Sequence, residues 1–224
     1  MKISGYLNTS DNHRIQYDQF KAGFKKVIII AHGFFNSKQA VILKQLGESL
    51  NDKYDVILFD FRGHGQSKGL FYWTAKEYLD LLGIVDFASR SYEKIGLIGL
   101  SLGAATSIIA ASKTSLINSI VAISAPTELG KIDYRLWMLN IKNDLFYNLF
   151  GEGRHGKGVR PGPFWFKKEK PLCSQENGDP HFLYSWGCGL GYPIQPFRGA
   201  LRKYGRSKKD KHYQKRSSCR IPFP

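Results

Sequence analysis

Apolar residues in this chain fall into short unbroken runs, separated by stretches where they recur every three or four positions. Val27-Ile28-Ile29-Ile30-Ala31, Val56-Ile57-Leu58-Phe59, Ile95-Gly96-Leu97-Ile98 and Ile120-Val121-Ala122-Ile123 are the runs. Runs of this length predict strands covered on both faces, as in a parallel sheet. Between them, Ala40, Leu43, Leu46 and Leu50 keep a helical period, with Ser37 placed to cap the helix. Thr74 precedes a second helical pattern through Tyr78, Leu81, Leu82, Val85 and Phe87, and a third helix is expected over 103–112. Residues 1–24 read as an antiparallel hairpin turning at 10–13. Strands alternating with helices predict an α/β fold, a mostly parallel sheet with helices on both faces. Ligand sites in such sheets sit at the carboxyl ends of the strands, where His32, Asp60 and Ser101 fall.

One turn in this pattern carries chemistry. Gly99-Leu100-Ser101-Leu102-Gly103 follows the third run directly and leads into the helix-forming Ala104-Ala105-Thr106-Ser107. A G-x-S-x-G segment between strand and helix is the context of a nucleophile elbow, which lifts the serine oxygen above the sheet edge. Glycine at Gly99 and Gly103 lets strand and helix approach without a Cβ clash. The plainer reading is a glycine-rich turn whose serine caps the helix.

Two further segments join it in order: His32-Gly33-Phe34-Phe35 after the first run, and Asp60-Phe61-Arg62-Gly63-His64-Gly65-Gln66-Ser67 after the second. With these three blocks the chain resembles the α/β-hydrolase superfamily, in the branch of serine aminopeptidase-like, lysophospholipase-like and carboxylesterase-like enzymes. The resemblance covers roughly residues 27–126. It implies Ser101 as nucleophile and backbone N–H donors from Phe34 and Leu102 for an oxyanion. It makes His32 and His64 loop-shaping residues, and it implies no metal or organic cofactor. The implied reaction is hydrolysis of a small-molecule ester, thioester or amide through an acyl-enzyme.

Length and charge divide the chain. Its 224 residues suit a single domain. No apolar stretch resembles a signal peptide or membrane span, so the expected location is cytoplasmic and no membrane span is expected. The net charge of +15 would ordinarily suggest nucleic acid. However, residues 172–224 hold 10 Lys and Arg against 3 acidic residues, and nine of those basic residues lie between Ala200 and Arg220. Cys173, Cys188 and Cys219 all fall in this segment, without zinc-ligand spacing. The expected division is therefore a hydrolase-like core over 1–171 and a basic, disordered tail over 172–224. The tail lacks the aromatic interleaving of nucleic-acid readers, so no nucleic acid is expected. Oligomeric state is open.

The resemblance fails where the remaining catalytic groups should lie. The family's order is serine, acid, histidine. Asp179, His181 and His212 are poor candidates, because none follows an aliphatic strand run in the expected way, while Glu128, just past the strand ending at Ser124, is a candidate substitute acid. The sheet is therefore expected to lack its last strands, with the strand over 120–124 as its edge. A reading frame slipped by one base permits both motifs, among the several residues that codon degeneracy allows at each position. Trp has one codon, TGG, and glycine codons begin with G, so the triplet spanning Trp186 and Gly187 becomes GGG, glycine. Around it the code permits I-P-I-F-F-I-H-G-D-A-D-W, a strand and acid loop. Across 215–222 it permits N-G-P-H-A-E-Y, a histidine loop. The expectation is a hydrolase gene product frameshifted near Pro171 and impaired as written. The competing reading is a non-catalytic binding protein whose basic tail contacts nucleic acid or anionic membrane.

Overall fold

The computed structural model describes residues 1–126, 159, 160 and 162, and the backbone of 182–186. The amino-terminal hairpin forms as expected: β1 (Lys2–Asn8) and β2 (Arg14–Phe20) pair antiparallel, with Leu7 opposite Ile15. Asn12 closes the turn at φ 60°, a conformation asparagine tolerates. The runs become β3 (Lys26–Ala31), β4 (Asp55–Phe59), β5 (Lys94–Leu100) and β6 (Ser119–Ile123). The helical patterns become α1 (Val41–Leu50), α2 (Glu77–Ser89) and α3 (Leu102–Ala111). Sheet order is β1-β2-β4-β3-β5-β6-β7, parallel from β4 onward, where β7 is Phe182–Trp186.

Alternation along the strands supplies two cores, one per face. Val27, Ile29, Ala31, Ile57 and Phe59 pack with Leu81, Ile84 and Val85 of α2 and with Leu102 and Ala104 of α3. Ile30, Val56 and Leu58 pack on the other face with Leu43, Leu46 and Leu50 of α1. Helices therefore cover both sides of the sheet, which is why its central strands read as unbroken apolar runs.

Two expectations need correction. Ser37 does not cap α1. Its hydroxyl accepts from the Gln39 N–H at 3.2 Å and its carbonyl from Ala40 N–H at 3.1 Å, forming a turn that delays the helix to Val41. Ala40 then holds the cap position with no side-chain bond. Nor does β6 end the sheet. Phe182–Trp186 pairs with it in parallel, Ser119 opposite Phe182 and Ile123 opposite Trp186. The segment contains three aromatic residues in five, a composition suited to a strand though it has no β-branched residue. The second expected strand and the expected disorder over 172–224 otherwise lie outside the described residues.

Candidate active site

Register brings the carboxyl ends of four strands to one edge. Ala31 lies opposite both Phe59 and Gly99, and Leu100 lies opposite Ile123. The chain leaves β5 into Ser101, which sits at φ 49°, ψ −109° and is solvent-exposed. That backbone is held from both sides. Ser101 N–H donates to the Ile123 carbonyl at 2.8 Å, while its own carbonyl accepts from Ala104 and Ala105 at 3.0 and 3.1 Å. The serine side chain makes no cap bond, so the plainer reading of Ser101 as a helix cap does not hold.

The two elbow glycines are required by close approach. A Cβ on Gly99 would lie 2.5 Å from the Gly103 carbonyl oxygen and 2.6 Å from Cα of Ala104. A Cβ on Gly103 would overlap the Ala31 and His32 carbonyls. The start of α3 therefore rests directly on the end of β3. Leu102 and Gly103 occupy its first turn, ahead of the first helical bond, where backbone N–H groups point outward.

The loop after β3 lies against this elbow. A Cβ on Gly33 would meet the Leu100 carbonyl at 3.4 Å and the Ser101 Cβ at 3.6 Å. His32 fixes the loop. Its Nε2 accepts from the Phe61 N–H at 3.1 Å, which leaves Nδ1 as the protonated nitrogen, donating to the Gly33 carbonyl at 2.7 Å. Asn36 N–H donates to the same carbonyl at 3.3 Å. In a trans peptide the carbonyl and the following N–H point in opposite directions. Securing the Gly33 oxygen thus sets the direction of the Phe34 N–H.

Neither buried histidine is arranged as a base for Ser101. Burial pushes the His32 pKa down to about 4, and both its nitrogens are engaged. Burial and the neighbouring His32 hold His64 well below the usual value. His64 Nδ1 donates to the Arg62 carbonyl at 3.1 Å, and its Nε2 is buried without a partner. Among the described residues no histidine bonds to the Ser101 hydroxyl. Asp60 is likewise occupied: its oxygens accept from Lys38 N–H at 2.7 Å and Gln66 N–H at 2.8 Å, while burial lifts its pKa to about 6. It ties the loop after β3 to the loop after β4. Asp179, His181, His212 and Glu128 lie outside the described residues. So do the three cysteines.

Sequence reasoning missed the charged scaffold beneath these loops. Arg62 is fully buried, donating from Nε and Nη2 to Asp80 and from Nη1 and Nη2 to Asp11. Lys38 is buried against Asp18 at 3.0 Å. Arg160, half-buried, braces the same loops. Its guanidinium donates to the carbonyls of Gly65, Ser67 and Gly69, and its backbone bonds Gly63 and Phe71. The only sequence signal was polar residues inside glycine-rich turns. Among the described residues no group of three or more His, Cys, Asp or Glu is placed to hold a metal ion, and no helix is long and apolar enough to cross a membrane.

Comparison with known proteins agrees with this architecture. Residues 26–148 match the family described as alpha/beta hydrolase fold. Among solved structures, an esterase from Pyrococcus furiosus, Pf2001, is 30% identical, with a TM-score of 0.59 over 67% of this chain and 64% of that one. The alpha/beta hydrolase GrgF from Penicillium sp. sh18 is 19% identical, with a TM-score of 0.54 over 66% of this chain and 54% of its own. A hydrolase from Pseudomonas aeruginosa PA01 is 22% identical, with a TM-score of 0.51 over 62% and 52%. The chain thus spans less than two thirds of the length of the structures it matches. Among curated proteins none matches it.

Proposed function

The chain belongs to the alpha/beta hydrolase fold family, and from that premise we propose that it derives from a serine hydrolase that cleaves an ester, thioester or amide through an acyl-enzyme on Ser101. The observation that carries this reading is the exposed Ser101 at φ 49°, raised between β5 and α3 where only glycine fits on either side. In the proposed reaction the Ser101 oxygen bonds to the substrate carbonyl carbon, and its proton passes to a histidine base. The carbonyl oxygen takes the negative charge and is met by N–H groups of Leu102 and Phe34. Collapse expels the alcohol, thiol or amine, which takes the proton from the histidine. Water then releases the acid by the same steps. The direction His32 imposes on the Gly33–Phe34 peptide supports Phe34 as a donor. A donor of this kind contributes about 3–4 kcal/mol in comparable sites.

The base and its acid partner are supplied, in this reading, by the slipped frame. In the frame as written Phe182–Trp186 pairs with β6 in parallel and ends level with Ile123, so the slip is carried by the missing acid and histidine motifs and not by this strand. The shifted frame puts its strand over the same stretch and its acid loop directly after. The written chain is then impaired. Nucleotide sequencing of the locus and assay of the frame-corrected protein with p-nitrophenyl esters test this. Turnover should appear in the corrected protein, be weak in the written chain, and fall by orders of magnitude in corrected Ser101→Ala. Full activity in Ser101→Ala would reject the nucleophile, and a closed shifted frame would reject the slip.

A further inference from the structure

Two loops that meet through the Phe34 ring, the one after β3 running past Ser101, carry aromatic residues in a backbone conformation that side chains avoid. Phe35 has φ 58° and Trp73 φ 57°, with Thr74 behind it at φ 75°. Neighbouring turns meet the same need with glycine, at Gly63, Gly65 and Gly69. Large rings kept at such positions point to a use for the rings.

Their placement is specific. The Phe34 ring lies 4.1 Å from Phe35, 5.1 Å from Phe71 and 5.9 Å from Trp73, and Phe71 lies 5.2 Å from Trp73. The planes are tilted by 39–51° in all four pairs, so the rings are neither stacked nor perpendicular. Phe71 is buried and forms the floor, while Phe34, Phe35 and Trp73 are half-buried. The indole is braced by its N–H, which donates to the Gly162 carbonyl at 3.2 Å. The array begins next to Gly33, where an added Cβ would lie 3.6 Å from the Ser101 Cβ.

We propose that Phe35 and Trp73 are specificity-determining residues that select an acyl group bearing an aromatic ring, seated against the Phe34–Phe35–Trp73 rings with its carbonyl carbon at Ser101. An aryl group presents edge and face to tilted rings and gains from both, whereas an alkyl chain of similar length gains only from burial. The proposal rests on the reading of Ser101 as nucleophile, so its test uses binding without turnover.

The affinities of 3-phenylpropanoate and hexanoate, the corresponding product acids, are measured on the full chain by titration calorimetry. The aryl acid should bind at least tenfold more tightly, and Ser101→Ala should keep that preference. Phe35→Gly and Trp73→Gly remove a ring while suiting the left-handed backbone, so the fold is retained. Each should bring the two affinities within twofold, and Phe35→Leu and Trp73→Leu, which keep apolar volume, should do the same. Equal affinities in the unaltered chain, binding of neither acid, or a tenfold preference surviving in all four variants would overturn the proposal. If frame-corrected Ser101→Ala keeps esterase activity while the ring variants lose the preference, the nucleophile reading fails and the ring wall stands.

Discussion

Ser101 holds φ 49° and ψ −109°, a conformation that costs an L-residue roughly 1–3 kcal/mol. The cost is sustained because strand, helix and the Ile123 carbonyl fix the turn from three sides. Ser101→Gly should therefore stabilise the protein by about 1 kcal/mol in urea denaturation, whereas Ser101→Ala should not. Equal midpoints for the two variants would show the turn to be relaxed. His32 gives a second test at this scale. Its folded pKa of about 4 lies below the unfolded value near 6.5. The native state then binds fewer protons between those limits. The contribution is fully present above pH 6.5, is lost as pH falls toward 4, and amounts to about 3 kcal/mol. Ring nitrogen shifts should report neutral His32 protonated at Nδ1 down to about pH 5. A midpoint near 6.5 would contradict the bonds to Phe61 and Gly33.

Elements depend on contacts that their own sequences do not reveal. Helix α3 rests on β3 through Gly103, so Gly103→Ala should destabilise by roughly 1–3 kcal/mol, through overlap with the Ala31 and His32 carbonyls. An unchanged melting temperature would reject that packing. Helix α2 joins its neighbours through charge. Asp80 in its first turn receives three hydrogen bonds from Arg62, all buried. Asp80→Ala leaves the Arg62 backbone N–H and Nε buried without an acceptor while Asp11 still holds Nη1 and Nη2, so it should cost about 1–3 kcal/mol. Glu77, also in that turn, accepts from the Tyr72 N–H at 2.6 Å, and burial raises its pKa to about 7. The native state holds its proton where the unfolded chain has released it. Stability from this group therefore falls as pH rises from about 4.5 to 7, and Glu77→Gln should flatten that decline in urea titrations at pH 5 and 7.5. A decline of unchanged slope would show that Glu77 does not titrate in this window.

Across the whole molecule the decisive feature is the far edge of the sheet. An edge strand left unpaired invites association. With β7 in place, the β6 amides should exchange as slowly as those of β5, and a chain ending at residue 181 should associate in sedimentation experiments. Fast exchange across Ser119–Ile123 in the full chain would remove β7 from the sheet. The carboxyl-end edge of the sheet, by contrast, gathers the ends of β3, β4, β5 and β6, so loops distant in sequence meet there. Asp60 links two of them, and Arg160 ties a segment about ninety residues away to the carbonyls of Gly65, Ser67 and Gly69.

By itself the sequence determined the central strands, three helices, the amino-terminal hairpin and the elbow. These follow from local rules: unbroken apolar runs, a helical period, and Gly99 and Gly103 flanking Ser101. The proposal of Phe34 and Leu102 as oxyanion donors came only from a resemblance, since nothing local sets the direction of an N–H. Tertiary structure decided the rest. It turned Ser37 from a helix cap into a turn former, seated Arg62 and Lys38 in the interior, and brought Phe35 and Trp73 to one ring array. It also paired Phe182–Trp186 with β6, which no aliphatic pattern had announced. Each of these rests on partners tens of residues away, and a periodicity read along the chain holds no information about a partner that arrives only when the sheet forms.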